Sequence, residues 1–364
     1  MDNEHHHVLI TGGCGFLGRA IVDAFLEQYP THLYTILGLS PPLLSRQNVG
    51  FIQADIRDPA AVERALSASR PDAVVHAAGI VPTGQSRYSQ REREHVFAVN
   101  VEGTRNLLSV AKSVGSVRAF VYTSSSTVVG DDLSSGDRPN AREEVEDVGR
   151  KRWIYGESKT HAENLVLSAN DPSTPFLTTA LRPSVLFGPG DTNLLPPLHA
   201  LIAAKSTTVT LGNGFNLYDF TYVTNAADAH VLATANLLAS ASAAGLPINI
   251  TNDAPIPFRD FCRAVWAAFG HHPRWEVHVP AGVARAMGSA ADVVARLLRW
   301  QEEWGLSRGA VEDAVGVRYG DGRRAREVLG YAPRVGLAEG VGRACEDYKR
   351  VLAEREKEAA GKVG

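Results

Sequence analysis

Tyr155 and Lys159, in the segment YGESK, are the residues of this chain best suited to move a proton. Spacing i, i+4 puts both on one helical face. A phenol with an ordinary pKa near ~10 is a poor proton shuttle at neutral pH. An ammonium one turn away favours the phenolate and lowers that pKa. A general acid/base tuned in this way contributes roughly a hundred- to ten-thousand-fold. The lysine can also hold the hydroxyls of a nicotinamide ribose. Thr123, Ser124, Ser125 and Ser126 end an apolar stretch. In open α/β sheets ligands bind beyond the carboxyl ends of strands, so a hydroxyl there can hold a carbonyl or alcohol oxygen beside the phenol. At least one of the four is expected to serve only the local turn. Asn100, in FAVNVEGT, can brace the middle helix and order water near the lysine; a purely structural role fits equally well.

Such a site needs a redox cofactor, and the start of the chain offers a cradle for one. An apolar strand runs into TGGCGFLG, residues 11–18, and then into an amphipathic helix. Gly12 permits a tight turn, Gly15 lets the backbone approach a diphosphate, and Gly18 lets helix and strand pack closely. The helix start, with Phe16 and Leu17, supplies free N–H groups and partial positive charge. The ribose discriminator is expected about twenty residues on. That position holds Gly38, with no carboxylate to bind a 2′-hydroxyl or repel a 2′-phosphate. Ser40 follows and Arg46 is within loop reach, so NADP(H) is favoured over NAD(H). Asp55, followed by Ile56, is placed to meet the adenine, or else caps the turn entering Pro59. Ala77, Ala78 and Gly79 are small enough to let a cofactor lie across the sheet edge.

The elements that carry these residues alternate. Apolar runs at 8–11, 33–39, 49–54, 73–77, 117–123 and 177–182 read as strands, with helices at 15–28, 59–68, 92–114 and 155–169. Strands apolar on both faces and separated by helices predict a doubly wound parallel sheet of the Rossmann type. Beyond 182 Pro and Gly punctuate the chain, and helices are expected at 225–240, 257–270, 281–303 and 336–358. The domains read as a dinucleotide-binding unit over 1–182, with 219–251 returning to it, a smaller, mostly helical substrate unit over 183–218 and 252–350, and a charged tail over 351–364. The long polar stretch 130–152 suits a lid or a solvated excursion.

The chain has 364 residues, 44% hydrophobic and 21% charged, with 37 Lys plus Arg against 40 Asp plus Glu. That composition is globular, and its net charge of −3 argues against nucleic acid as a partner. Cys14, Cys262 and Cys345 lie too far apart for a zinc motif and are odd in number, which suits a reducing compartment; no metal site is expected. The first strand begins at Val8, leaving no room ahead of it for a signal peptide. The stretch 231–250 is interrupted by polar residues, so it reads as a helix running into a strand rather than a membrane span.

Together these residues resemble the short-chain dehydrogenase/reductase superfamily in its extended branch, over roughly 8–350. The pieces are TGGCGFLG, HAAG at 76–79, NVEGT at 100–104, YTSSS at 122–126, YGESK and LRPSVLFGPGD at 181–191. The segments DFTYVTNAADAHVLA at 219–233 and LGYAPRVGLAEGV at 329–341 resemble the 3β-hydroxysteroid dehydrogenase family, especially its sterol-4α-carboxylate 3-dehydrogenases. The resemblance implies hydride transfer between a nicotinamide and a secondary alcohol or ketone. Ser125 holds the oxygen, Tyr155 moves the proton and Lys159 tunes it, with Pro183 and Val185 among the cofactor contacts. It also implies a bulky apolar substrate, sterol-like or a terpenoid or polyketide, and a homodimer through helices 92–114 and 155–169. The setting it implies is cytoplasmic, with peripheral contact at the endoplasmic reticulum membrane. Nucleotide-sugar epimerases and dehydratases share the fold and triad, but they typically carry Asn where this chain has Val185. A coupled isomerase activity would need a second proton shuttle, which the sequence does not locate.

Overall fold

The computed structural model of the chain describes residues 5–42, 45–88, 90–131, 133, 136–144, 153–297 and 307–361. Seven parallel strands form the main sheet: β1 (His7–Thr11), β2 (Leu33–Gly38), β3 (Val49–Gln53), β4 (Ala73–His76), β5 (Ala119–Thr123), β7 (Leu177–Pro183) and β12 (Pro247–Ile250). Their order is β12-β7-β5-β4-β1-β2-β3. The order reverses between β1 and β4, which opens a crevice beyond their carboxyl ends.

Alternate residues of each strand enter opposite cores, which explains the unbroken apolar runs. Val8 and Ile10 face α1 (Phe16–Gln28) and α7 (Val223–Leu238). Leu9 and Val74 face α2 (Pro59–Ser69), α4 (Thr104–Val114) and α5 (Ile154–Ser168). The expected helix 92–114 has the right span but is not uniform. α3 (Arg93–Phe97) widens into a π-helical stretch, Ala98–Gly103, before α4. A β-carbon on Gly103 would lie 2.6 Å from Ile56, so this helix runs tight against the turn after β3.

The carboxyl side carries a third apolar cluster, in which Phe220 stacks on Phe261 at 3.8 Å. α6 (Leu195–Ala203), α8 (Phe258–Ala268) and α12 (Leu337–Gly361) supply it, α9 (Ala281–Leu297) packs against α10 (Arg308–Val315), and α11 (Arg323–Leu329) joins the first core through Ala325 and Leu329. Short strands tie it together. β13 (Ile256–Pro257), β10 (Leu217–Tyr218), β15 (Arg318–Gly320) and β6 (Arg138–Ala141) form one sheet; β8 (Val185–Phe187) pairs with β11 (Phe220–Tyr222), and β9 (Val209–Leu211) with β14 (Val277–Val279). Part of the polar stretch 130–152 is therefore a strand, β6. Residues 145–152 lie outside the described residues, as do 298–303 of the helix expected over 281–303. Among the described residues no helix is long and apolar enough to cross a membrane.

Candidate active site

The glycine turn sits at the carboxyl end of β1. Gly12 has φ +69, and a β-carbon there would fall 2.8 Å from the Ala78 backbone. The Gly12 N–H donates to the Leu37 carbonyl at 3.0 Å, and the Gly15 N–H to the Gly12 carbonyl at 2.9 Å. At Gly18 a β-carbon would lie 2.0 Å from the Gly12 carbonyl oxygen. No side chain caps α1, whose amino-terminal N–H groups are left for a ligand. These features fit a dinucleotide diphosphate. A β-carbon on Gly190, in the loop after β8, would lie 3.9 Å from Phe16, which brings that loop over the start of α1. Pro183 is buried at the end of β7, while Val185 is half-buried in β8 against the third cluster.

A buried network braces the turn from beneath. Thr11 Oγ1 lies 2.7 Å from His76 Nδ1, and Thr104 Oγ1 lies 2.9 Å from His76 Nε2. The Ala78 N–H donates to Thr11 Oγ1 at 3.1 Å, which fixes the small strand end Ala77–Gly79. Burial, reinforced by the nearby Lys159 charge, pushes the His76 pKa down to about 3.

At the nucleoside end, Gly38 closes β2 and Ser40 is exposed. The two cations near it are already engaged: Arg46 pairs with Asp23, and Arg57 grips Asp55 through both carboxylate oxygens. That grip holds the Asp55 carboxyl below the usual range. The cap of α2 is Asp58, which accepts from the Ala60 and Ala61 N–H groups. Asp55 Oδ1 also accepts the Arg57 N–H at 2.9 Å, so Asp55 caps the turn that leads into Pro59 while Asp58 caps the helix. Ile56 is buried.

The serine run, Tyr155 and Lys159 converge at the end of β5. Lys159 Nζ donates to the Thr123 carbonyl at 2.8 Å and lies 4.9 Å from the centre of the Tyr122 ring. Burial pushes its pKa down to about 8, against the pull of Glu163. Tyr155 is half-buried, and the Ser125 hydroxyl favours its phenolate. Burial raises the phenol pKa, whereas the i, i+4 spacing predicts that the Lys159 charge lowers it; Ser125 and the Arg87 guanidinium, rather than Lys159, oppose the rise. Ser125 Oγ accepts from the Thr127 N–H at 3.2 Å and hydroxyl at 2.9 Å, so its own proton is free for the phenol oxygen. The neighbouring hydroxyls are engaged elsewhere. Thr123 Oγ1 lies 2.8 Å from His230 Nε2, and Ser124 donates at 2.5 Å to Glu163, itself paired with Arg182 at 2.5 Å.

Asn100 projects from the π-helical stretch. It accepts from the Ile80 N–H at 2.8 Å, and donates to the Ile80 carbonyl and the Ser158 hydroxyl, both at 3.0 Å. A β-carbon on Gly79 would lie 3.2 Å from Asn100 Oδ1 and 3.4 Å from Lys159 Nζ. Glycine at 79 therefore lets the end of β4 pass close to Asn100 and the ammonium. Beyond the site, Phe187 and Leu195 are core residues and Phe215 is exposed.

The buried histidines set a pH dependence. The His230 pKa is pushed down by burial to about 4, opposed by its bond to the Ala226 carbonyl. The unfolded chain takes up a proton near pH 6.5 that the native state refuses, so stability is lost as pH falls from about 6.5 toward 4. Between pH 7 and pH 5 the loss is about 2 kcal/mol for one such histidine. In urea unfolding, the loss over that interval is expected to be about 2 kcal/mol smaller in His230→Gln. Equal losses in both proteins would mean that native His230 binds the proton.

The parallel sheet, the glycine turn and the Ser–Tyr–Lys cluster define an extended short-chain dehydrogenase/reductase, an NAD(P)-binding oxidoreductase. The sequence profile of the 3-beta hydroxysteroid dehydrogenase/isomerase family matches residues 9–281, and the chain belongs to that family. It is 36% identical over 348 residues to the decarboxylating sterol-4-alpha-carboxylate 3-dehydrogenase of Saccharomyces cerevisiae, covering 92% of this chain and 95% of the relative. It is 33% identical over 345 residues to the 2-alkyl-3-oxoalkanoate reductase of Stenotrophomonas maltophilia, covering 92% and 97%. Among solved structures, the UDP-glucose 4-epimerase of Thermotoga maritima superposes with a TM-score of 0.71 at 21% identity, covering 95% of this chain and 99% of that one. At that identity the likeness speaks for the fold alone.

Proposed function

We propose that the protein oxidises a secondary alcohol whose neighbouring carbon bears a carboxylate, on a bulky apolar skeleton of the 3β-hydroxysterol-4α-carboxylate kind. The observation that carries this is the convergence of Ser125, Tyr155 and Lys159 beside the glycine turn. Its chemistry is supported by the names of two relatives, one a sterol-4-alpha-carboxylate 3-dehydrogenase and the other a 2-alkyl-3-oxoalkanoate reductase. Both names describe an oxygenated carbon next to the carbon that carries the acid. The nucleotide-sugar reading has less support, because apolar Val185 stands where those enzymes typically carry Asn.

In this reading Tyr155 takes the hydroxyl proton, Ser125 holds the oxygen and the Lys159 cation favours the phenolate. The nicotinamide supplies the hydride acceptor. The product is a β-keto acid. It loses carbon dioxide when the bond to the carboxylate breaks, the electron pair passing into an enolate that a solvent proton then quenches. No further catalytic group is required for that step.

NADP(H) is the proposed cofactor, with NAD(H) the alternative. Gly38 leaves no carboxylate to repel a 2′-phosphate, while the pairing of Arg46 and Arg57 weakens the case. A homodimer through the helical run 92–114 and through α5 belongs to the same reading, as does peripheral membrane contact through α9, which exposes Val283, Met287 and Val293. The test is absorbance at the nicotinamide band with 3β-hydroxysterol-4α-carboxylates, using NADP+ and NAD+ in parallel. Oxidation with release of carbon dioxide is expected, faster with NADP+. Turnover of a sugar nucleotide with no net cofactor reduction would overturn the reading.

A further inference from the structure

A second cluster stands against the catalytic one. Arg87 and Tyr88 end a short 3-10 turn, Gly84–Tyr88. The Tyr88 ring packs edge-on against Trp153 at 5.2 Å, and Trp153 precedes Tyr155 by two residues. From the other side α10 brings Asp313. The Tyr88 hydroxyl donates to Asp313 Oδ2 at 2.7 Å, and Arg87 Nη2 lies 3.4 Å from the same oxygen. Arg318, on β15, is 3.8 Å from the other carboxylate oxygen and stacks over Tyr218 at 5.2 Å.

Two guanidiniums therefore share one carboxylate. The Arg318 side chain is 7% exposed, and its Nη1 has no hydrogen-bond partner among the described residues. Arg87 keeps 31% of its side chain exposed and hydrogen-bonds none of the described residues; its one ion pair is the loose contact with Asp313. A guanidinium has five N–H donors in a planar fork, and half-burying it with those donors unpaired by protein leaves them to water or to a ligand. Through Tyr88 and Trp153 the Arg87 turn packs on the amino-terminal end of α5, the end that carries Tyr155, and the guanidinium charge favours the phenolate there.

A fork that size matches a carboxylate through two parallel N–H···O bonds. We propose that Arg87 binds the carboxylate of the substrate while the alcohol on the adjacent carbon engages Tyr155. Arg87 thus makes the enzyme selective for β-hydroxy and β-keto acids over the corresponding neutral alcohols and esters. This inference rests on the proposed function and names the group that reads the acid. Arg318 supports it by balancing Asp313, so that Arg87 can turn to the substrate with Asp313 still paired.

The experiment compares each acid with its methyl ester on two skeletons, a 3β-hydroxysterol-4α-carboxylate and a 2-alkyl-3-hydroxyalkanoate. The readout is the acid-to-ester ratio of kcat/KM. The wild type should favour the acid. The ratio should fall about 50-fold in Arg87→Met and about fivefold in Arg87→Lys, with most of the loss in KM, as expected for a charge-assisted pair made in ground and transition state alike. Equal losses on acid and ester in both variants would overturn the inference, because Arg87 would then act only through Tyr155 or through folding. Wild-type oxidation of acid and ester at equal efficiency would overturn it too, leaving the oxidoreductase reading intact. Wild-type turnover of the alkanoate pair alone, with the predicted loss in Arg87→Met, would remove the sterol skeleton and keep the role of Arg87.

Discussion

Tyr155→Phe is expected to lower kcat about a thousandfold or more, leaving cofactor affinity within about threefold of the wild type. Phenylalanine keeps the ring, which is half-buried at the start of α5, so the packing survives. It removes the hydroxyl whose ionisation Ser125 and Arg87 both favour. Lys159 should stay in place, because its ammonium is anchored on the Thr123 carbonyl rather than on the phenol. The glycine turn and the His76 network have no contact with the missing oxygen, so cofactor binding should be insensitive to it. Initial rates at saturating substrate measure the first effect and fluorescence titration of the reduced cofactor the second. A variant with a tenth of wild-type activity would take Tyr155 out of the proton path. A large loss of cofactor affinity would mean that the ring, not the hydroxyl, is what the site needs.

The roles just separated were unequally visible in the sequence. The glycine turn was legible because its constraint is local: three small residues within eight positions report a backbone that a β-carbon would block. The Tyr155–Lys159 pair was legible for the same reason, since one helical turn fixes both. The serine run was only half legible. Four adjacent hydroxyls give no sign of which one meets the phenol. That is settled by partners distant in sequence, Glu163 at 39 residues from Ser124 and His230 at 107 from Thr123. The Arg87 cluster could not be read at all, because Tyr88 and Asp313 stand 225 residues apart. The π-helical stretch escaped because its apolar spacing is that of an ordinary helix. A single wide turn aims Asn100 at Ile80 and Ser158, and the cause is tertiary contact rather than propensity. At the nucleoside end the absence of an acid at Gly38 was visible, whereas the carboxylates that occupy Arg46 and Arg57 were not.

Two glycines of the same turn should respond to the same substitution in different ways. Gly18→Ala places a methyl group 2.0 Å from the Gly12 carbonyl oxygen and 2.7 Å from the Gly13 Cα. Both neighbours are backbone, so no rotamer change relieves the clash, and α1 must lift away from β1. Overpacking of this kind costs about 1–3 kcal/mol. The same displacement opens the cradle, so cofactor affinity should fall by a hundredfold or more, which corresponds to about 3 kcal/mol. Gly15→Ala is the contrast. Gly15 is exposed with φ −77, a conformation alanine adopts, and the nearest obstacle to its methyl is the Gly12 carbonyl oxygen at 3.2 Å. The fold should tolerate it with little change in melting temperature. If a diphosphate lies over the turn, however, that methyl occupies the path of approach, and affinity should fall at least tenfold with stability retained. Thermal unfolding without cofactor and titration with it resolve the two effects. A Gly15→Ala protein that binds both nicotinamide dinucleotides as the wild type does would place the diphosphate somewhere other than this turn. The cofactor would then not be held by the end of β1, and the orientation that brings its reactive ring to Tyr155 would lose its support.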